Sequence, residues 1–264
     1  MNIIVCIKQV PETGNIKIDP ETHTLIRSGV PSIVNPMDLY AIEEALRWKE
    51  KLDASITVMT MGPPQAQEAL KEAISMGIDR GILLSDKKFA GADTYATSYT
   101  LSLAIRKLAP YGLIFCGKQA IDGDTAQVGP GIAEHLNIPH IAYVRKIEEI
   151  DQDKGIVKAQ RLMEDGYESL EVQIPALLTV VKEINEPRLP SLKGKMRARK
   201  AEIPIWEATD LEKETEAAFG LSASPTQVKT IFAPPSKAKG EMFTGEAAII
   251  AQSLVERIRA QKII

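Results

Sequence analysis

The chain has 264 residues, 44% hydrophobic and 25% charged, with a formal net charge of −3. That length suits one large α/β domain with an extra module, and the mildly acidic balance argues against a general nucleic-acid partner, which wants a clearly basic domain. No apolar stretch nears the roughly 20 residues that cross a bilayer, so no transmembrane segment is expected.

The opening run MNIIVCIKQV is too short for a secretory signal and meets Pro11 and Glu12 at once, which points to a cytoplasmic protein. Asn2–Val10 reads as a buried strand. Ile16–Ile18 and Thr24–Ile26, around Asp19-Pro20, read as a small inserted hairpin. Asn35, with Pro36 behind it and Asp38 in the first turn, is placed to cap a helix. Ser55–Met61 is the next strand. Pro64 opens a helix with Ala66, Ala69, Leu70 and Ala73 on one face, stopped by Gly77. Gly81–Leu84 follows as a strand. Asp93 is placed to cap a helix with Leu101, Ala104, Ile105 and Leu108 inward, and Leu113–Cys116 is another strand. This alternation predicts an α/β fold: a parallel sheet covered on both faces.

Beyond Ile141 the pattern changes. Lys146–Glu149, Ile156–Met163, Glu168–Gln173 and Ala176–Val181 read as additional strands with turns at Gly155 and Gly166. From Asn185 prolines and lysines dominate until a terminal helix, Ala247–Ile263. The predicted organisation is a domain over 1–224 and a C-terminal arm over 225–264 that packs on something other than its own core.

Ligands of an open parallel sheet bind outside the carboxyl ends of its strands. That rule selects four loops: Cys6–Lys8, Met61–Pro64, Gly91–Thr97 (GADTYAT) and Gly117–Gly131 (GKQAIDGDTAQVGPG). The fourth carries glycines, Thr125 and Gln127 as donors, and a helix start at Val128 with Pro130 near its first turn, a setting suited to phosphate. Neither GxGxxG nor GxxxxGK[ST] occurs. Each feature has a plainer reading. Asp122 and Asp124 suit turn and cap roles better than a catalytic pair. The GADT segment is a helix cap or a phosphate contact, and Lys8 is a snorkelling lysine or a ligand group. The basic run Lys193–Lys200 is a solvated surface or one face of an exposed strand. Cys6 and Cys116 lie in apolar runs without CxxC spacing, and with His23, His135 and His140 they form no metal or triad pattern, so no metal and no catalytic side chain are expected. Redox chemistry here would require a bound cofactor.

Several strings resemble the β subunits of electron-transfer flavoproteins. GKQAIDGDTAQVGPGIAEHL is similar to that family's nucleotide loop, and NPMDLYAIEEALRWKEK to its Asn-Pro loop and first helix. MGPPQAQEALKEAISMGIDRG resembles the next strand–helix unit, and EDGYESLEVQIPALLTVVKEINEPRLPSLKGKM the stretch ending in its partner-docking loop. The resemblance implies a Rossmann-like nucleotide-binding fold of the adenine nucleotide α-hydrolase type, and a heterodimer with an α subunit whose flavin passes electrons to a flavin-dependent dehydrogenase, such as an acyl-CoA or lactate dehydrogenase. Asp122-Gly123-Asp124-Thr125-Ala126-Gln127 and GADTYATS are similar to the electron-bifurcating branch. That branch holds FAD in the β subunit, takes hydride from NADH, and sends electrons to ferredoxin or flavodoxin and to the α-subunit flavin. The alternative is the branch that holds AMP as a structural ligand. By resemblance, Cys6, Asn35, Asp38 and Met61 line the adenosine part, and Lys8 and Gly62 also belong to the cofactor site. Gly117, Gln119, Asp122, Gly123, Asp124, Thr125, Gln127, Val128, Gly129 and Pro130 hold phosphates and ribitol, and the helix start at Asp93, Thr94 and Thr97 adds a second phosphate-type site. Leu192, in a docking loop at about 185–200, anchors the partner dehydrogenase.

Overall fold

The computed structural model describes residues 1–12, 17–18, 25–26, 31–211, 219–230 and 240–263. One nine-stranded sheet organises them. Its parallel centre consists of β1 (Asn2–Cys6), β6 (Ser55–Met61), β7 (Arg80–Leu84), β8 (Leu113–Gly117) and β12 (Ala176–Val180), in the spatial order β7-β6-β1-β8-β12. The chain runs outward from β1 in one direction through β6 and β7. It then returns to the other side of β1 for β8 and β12, so strand order reverses between β1 and β8. At such a switch point the loops diverge and leave a crevice at the carboxyl edge.

The strands are buried on both faces, and their side chains alternate between two cores. Ile3, Val5, Ile56, Val58 and Phe115 pack against α1 (Pro36–Leu52) and α2 (Gln67–Met76) through Ala41, Ile42, Leu46, Ala69 and Leu70. Ile4, Cys6, Met59, Ile114 and Cys116 pack on the opposite face. They meet α3 (Thr94–Lys107) and α4 (Val128–Leu136) through Leu101, Ala104, Ile105, Ile132 and Ala133. The helix ends follow the chain's chemistry. Gly77 closes α2 at φ 138, and the Asp93 carboxylate accepts a hydrogen bond from Ala96 N at 3.0 Å to cap α3.

The later strands extend the sheet. β9 (His140–Asp151) lies parallel to β12, β10 (Ile156–Met163) antiparallel to β9, and β11 (Gly166–Gln173) antiparallel to β10 at the edge. On the other edge β13 (Ile205–Trp206) pairs with β7. In the inserted hairpin, β3 (Lys17–Ile18) pairs antiparallel with β4 (Leu25–Ile26); Ile16, Asp19, Pro20 and Thr24 lie outside the described residues.

Four expectations change. The run Asn2–Val10 is not one strand: β1 ends at Cys6, and β2 (Gln9–Pro11) pairs with β5 (Ser32–Val34) in a separate ribbon. Pro64 opens a short 3-10 turn, and α2 begins only at Gln67. Asn35 precedes α1 but makes no side-chain cap, because its amide is engaged elsewhere. The basic run is no strand face: it is α5 (Leu192–Lys200), capped by the Ser191 hydroxyl, which accepts from Gly194 N at 2.9 Å. Among the described residues the remaining α-helices are the short α6 (Ala208–Leu211) and the terminal α7 (Ala247–Ala260), which buries no residue.

Candidate functional site at the carboxyl edge of the sheet

β1, β6, β7 and β8 run parallel, so the four selected loops all leave from one edge. The crevice between β1 and β8 has a fixed floor. Cys6 and Cys116 are register partners there, both buried. A hydrogen bond with Cys6, burial and the nearby Asp38 carboxylate together hold the Cys116 thiol well above its usual range. The Cys116 thiol is therefore not suited to act as a thiolate.

Above the thiols sits Asp38, 5% exposed. Burial pushes its carboxyl up to about 7, against the pull of Lys8 N, which donates to its Oδ2 at 2.7 Å, and of contacts from Asn35 and Gly117. Gly117 is required here by space. A Cβ on it would come within 2.3 Å of Asp38 Oδ1 and 2.7 Å of the Met37 carbonyl carbon, so only glycine lets the start of α1 close on the end of β8.

The long loop is tied down from below. Asn35, fully buried, donates through Nδ2 to Gln119 O at 2.9 Å and accepts from Ile121 N at 3.1 Å. Lys8 Nζ meets both oxygens of Asp122, at 2.6 and 2.7 Å. The Gln119 amide donates to Asp124 Oδ1. Asp124 and Ala126 turn the chain at φ 53 and 55, while Gly123 faces open space. Gly129 packs against Thr179, where a Cβ would lie 2.6 Å from Cγ2. The loop then enters α4 at Val128 with no side-chain cap from Gln127, and with Pro130 in the first turn.

A second group adjoins the first. Thr94 Oγ1 donates to Gln127 Oε1 at 2.9 Å, joining the start of α3 to the start of α4. Thr97 N closes the first turn of α3 on Asp93 O at 2.9 Å. The Asp93 carboxylate also accepts from Thr226 N and Oγ1 at 2.9 and 2.8 Å, which fixes the root of the C-terminal segment. Met61 and Gly62 end β6, where Gly62 N donates to Leu84 O at 3.0 Å. Thr125 is exposed on the loop. Lys8, Asn35, Asp38, Gln119, Asp122 and Asp124 thus form one bonded cluster, and Asp93, Thr94 and Gln127 another beside it. Lys118 and Tyr143 also stand at this edge; the backbone bulge that places Tyr143 leaves no periodic signal in sequence.

Leu192 lies elsewhere, as the first residue of α5, 77% exposed. The segment before α5 is clamped to α1: Arg188 donates from Nε and Nη2 to the buried Glu43 at 2.8 and 3.2 Å and reaches Glu50 at 2.5 Å. Asn185 donates to Tyr40 O and Glu44, both at 3.0 Å. Farther on, Arg197 donates to Ile74 O and Ile78 O at 2.7 and 2.9 Å, closing the carboxyl end of α2. Between the clamps Leu189, Leu192 and Met196 stand exposed among lysines. Among the described residues no group of three or more His, Cys, Asp or Glu is arranged to hold a metal, and no helix is long and apolar enough to cross a membrane.

A doubly wound sheet with a polar crevice at its switch point is the architecture of nucleotide-binding α/β proteins. Residues 22–211 match the Electron transfer flavoprotein domain, and the chain belongs to the electron transfer flavoprotein family. It is 54% identical over 265 residues to the electron transfer flavoprotein subunit beta of Thermoanaerobacterium thermosaccharolyticum, covering all of both chains. It is 52% identical over 266 residues to subunit CarD of the caffeyl-CoA reductase–Etf complex of Acetobacterium woodii, again covering both. Protein FixA of Bradyrhizobium diazoefficiens is 45% identical over 262 residues, 98% of this chain and 91% of the relative.

Proposed function

We propose that this chain is the β subunit of a heterodimeric electron-transfer flavoprotein of the bifurcating kind, and that its crevice holds FAD. The observation that carries the reading is the Thr94–Gln127 contact, which sets two helix starts side by side over one crevice. The α4 end is uncapped and favours phosphate, while at the α3 end, already capped by the Asp93 carboxylate, the Thr94 hydroxyl would serve a second phosphate. The donor set fits a dinucleotide in three further respects. Both loop carboxylates are already engaged, Asp122 by Lys8 and Asp124 by Gln119, so neither stands bare beside an anionic ligand. The first turn of α4 has no side-chain cap competing for its N–H groups. Gly123 leaves the loop crest open. The relative from Acetobacterium, by its name a subunit of a reductase–Etf complex, supports an assembly with a partner redox enzyme.

FAD would supply the hydride and electron chemistry, with NADH as donor and the α-subunit flavin and a ferredoxin or flavodoxin as the two outlets. The chain's own residues do simpler work. Asn35 and Lys8 fix the loop, Gly117 allows α1 to close on β8, and the buried floor of Cys6, Asp38 and Cys116 keeps water from below. No acid–base dyad would be required of the protein, because the bound cofactors would supply the hydride chemistry themselves. Leu192 and its apolar neighbours on the clamped α5 platform would meet the partner dehydrogenase, and residues from Pro225 onward would pack on the α subunit.

Cofactor extracted from the purified heterodimer tests the reading. Two FAD per heterodimer is expected; one FAD with one AMP would transfer the chain to the branch that uses AMP structurally.

A further inference from the structure

Tyr143 lies outside all four loops, yet it carries the sheet's most unusual backbone. It falls within β9 at φ 61, a left-handed conformation that bulky side chains seldom adopt. The β12–β9 pairing slips between Leu178 and Val180, which marks a bulge. Tyr143 N donates sideways to the buried Thr179 Oγ1 at 3.0 Å. Core packing does not explain the distortion, since Tyr143 is 37% exposed. Its ring lies 5.2 Å from the Nζ of Lys118, the residue that follows β8, whose N–H donates to Val180 O at 2.9 Å. Bulges re-aim side chains, and strain of this kind concentrates at ligand sites, where surrounding structure holds it in place.

The sheet's register locates the pair. Val180 is partnered by Gly117 on one side and Val144 on the other, so Tyr143 stands level with the end of β8. Across the carboxyl edge the order is β6, β1, β8, β12, β9. Cys6, Asn35, Asp38 and Met61 lie toward β1 and β6, and the Gly117–Gly131 loop rises from β8. Tyr143 flanks that loop from two strands beyond, about 10 Å at ordinary strand spacing. A ligand with its adenosine over β1 and its phosphates on the loop would, if extended along the sheet edge, bring its other half toward β12 and β9.

We infer that Tyr143 and Lys118 form a cationic aromatic wall that packs against the ring system of the non-adenosine half of FAD. The tyrosine ring supplies a stacking face, and the ammonium supplies charge beside a ring that becomes electron-rich on reduction. This inference rests on the reading above that the crevice takes FAD.

Equilibrium titration of cofactor-stripped heterodimer with AMP, ADP and FAD tests it. Tyr143→Gly removes the ring while suiting the backbone, because glycine adopts φ 61 freely. Its thermal midpoint should equal or exceed that of the wild type, with AMP and ADP affinity within twofold and FAD affinity at least tenfold weaker. Lys118→Gln, which alters no backbone constraint, should weaken FAD selectively in the same way and decides the matter alone should Tyr143→Gly prove unstable. Unchanged FAD affinity in both variants, or equal weakening for AMP, ADP and FAD, would overturn the wall while leaving FAD binding intact. A wild-type protein that binds AMP but not FAD would overturn both the FAD reading and the wall.

Discussion

Lys8 and Asp122, 114 residues apart in sequence, meet through a two-pronged ion pair that closes the loop after β8 onto the loop after β1. The lysine side chain is 47% exposed, so the pair adds little to stability, about 0.2–1 kcal/mol. Its effect is to neutralise a carboxylate beside the phosphate-type loop. Lys8→Gln is expected to shift the melting temperature by less than about 4 °C and to weaken nucleotide binding by on the order of tenfold. Asp122→Asn should weaken it less. Calorimetric titration and thermal melts of the two variants check this, and equal losses in both would count against the charge argument.

Asp38 gives the site a pH signature. Its folded-state pKa is about 7 against an ordinary 3.8, so between those values the folded protein keeps a proton that the unfolded chain has released. Its contribution to stability is therefore full below about pH 4, declines as pH rises, and is gone by about pH 7, a span on the order of 4 kcal/mol. Asp38→Asn should remove that decline. Denaturant melts of cofactor-stripped protein at pH 5 and 7 should show the variant gaining on the wild type at the higher pH. Parallel profiles would refute the assignment.

Arg188 holds the segment before α5 through a carboxylate that is nearly inaccessible. Burial alone would raise the Glu43 pKa, but hydrogen bonds from Arg188 and Arg47 outweigh it and lower it. Arg188→Ala removes charged hydrogen bonds worth roughly 1.5–3 kcal/mol each in gross terms; because Arg47 remains, a net loss of about 2 kcal/mol is expected. Urea unfolding measures it. Hydrogen exchange should rise in 185–200 and stay unchanged at the crevice.

Leu192 tests the docking surface. Its exposure alone proves little, since single exposed leucines are common. Leu192→Ala should raise the concentration of partner dehydrogenase needed for half-maximal electron delivery severalfold, with flavin content unchanged. Steady-state assays with varied dehydrogenase check this; identical kinetics would remove Leu192 from the contact.

The C-terminal segment is anchored at its root and exposed at its end. Thr226 is bonded to Asp93, while α7 buries nothing and shows Ile249, Leu254 and Val255 to solvent. A 14-residue helix is marginal in water without a packing surface. A chain ending before Pro225 should fail to form a tight heterodimer, or should form one whose NADH oxidation no longer drives two acceptors together. Size-exclusion chromatography and a two-acceptor assay on the truncated chain test the point.

The parallel core was legible in sequence because its signals are local. Ser55–Met61 is a strand with the expected bounds, and Asp93 caps α3 as its position before the helix suggests. Signals that depend on distant partners were not legible. Asn35 looks like a cap but serves the loop after β8, because Gln119 and Ile121 offer it partners that only the fold supplies. The alternating basic residues of 193–200 suit a strand face on paper. They lie on a helix because Ser191 caps it and Arg197 fastens it to α2. β13 is too short to show periodicity, and Tyr143 is displaced by a slip in pairing that sequence does not record.

The platform of α5 is mounted on α1 through Asn185 and Arg188 and on α2 through Arg197, and among the described residues it shares no hydrogen bond with the crevice cluster. Its exposed residues can therefore change identity while both mounts and the crevice loops stay as they are. Insertions between the mounts would be far harder to accommodate than substitutions, because the span they fix has a set length. If α5 meets the partner and the crevice holds the cofactor, as proposed, a lineage could exchange partners by altering a few side chains on one helix.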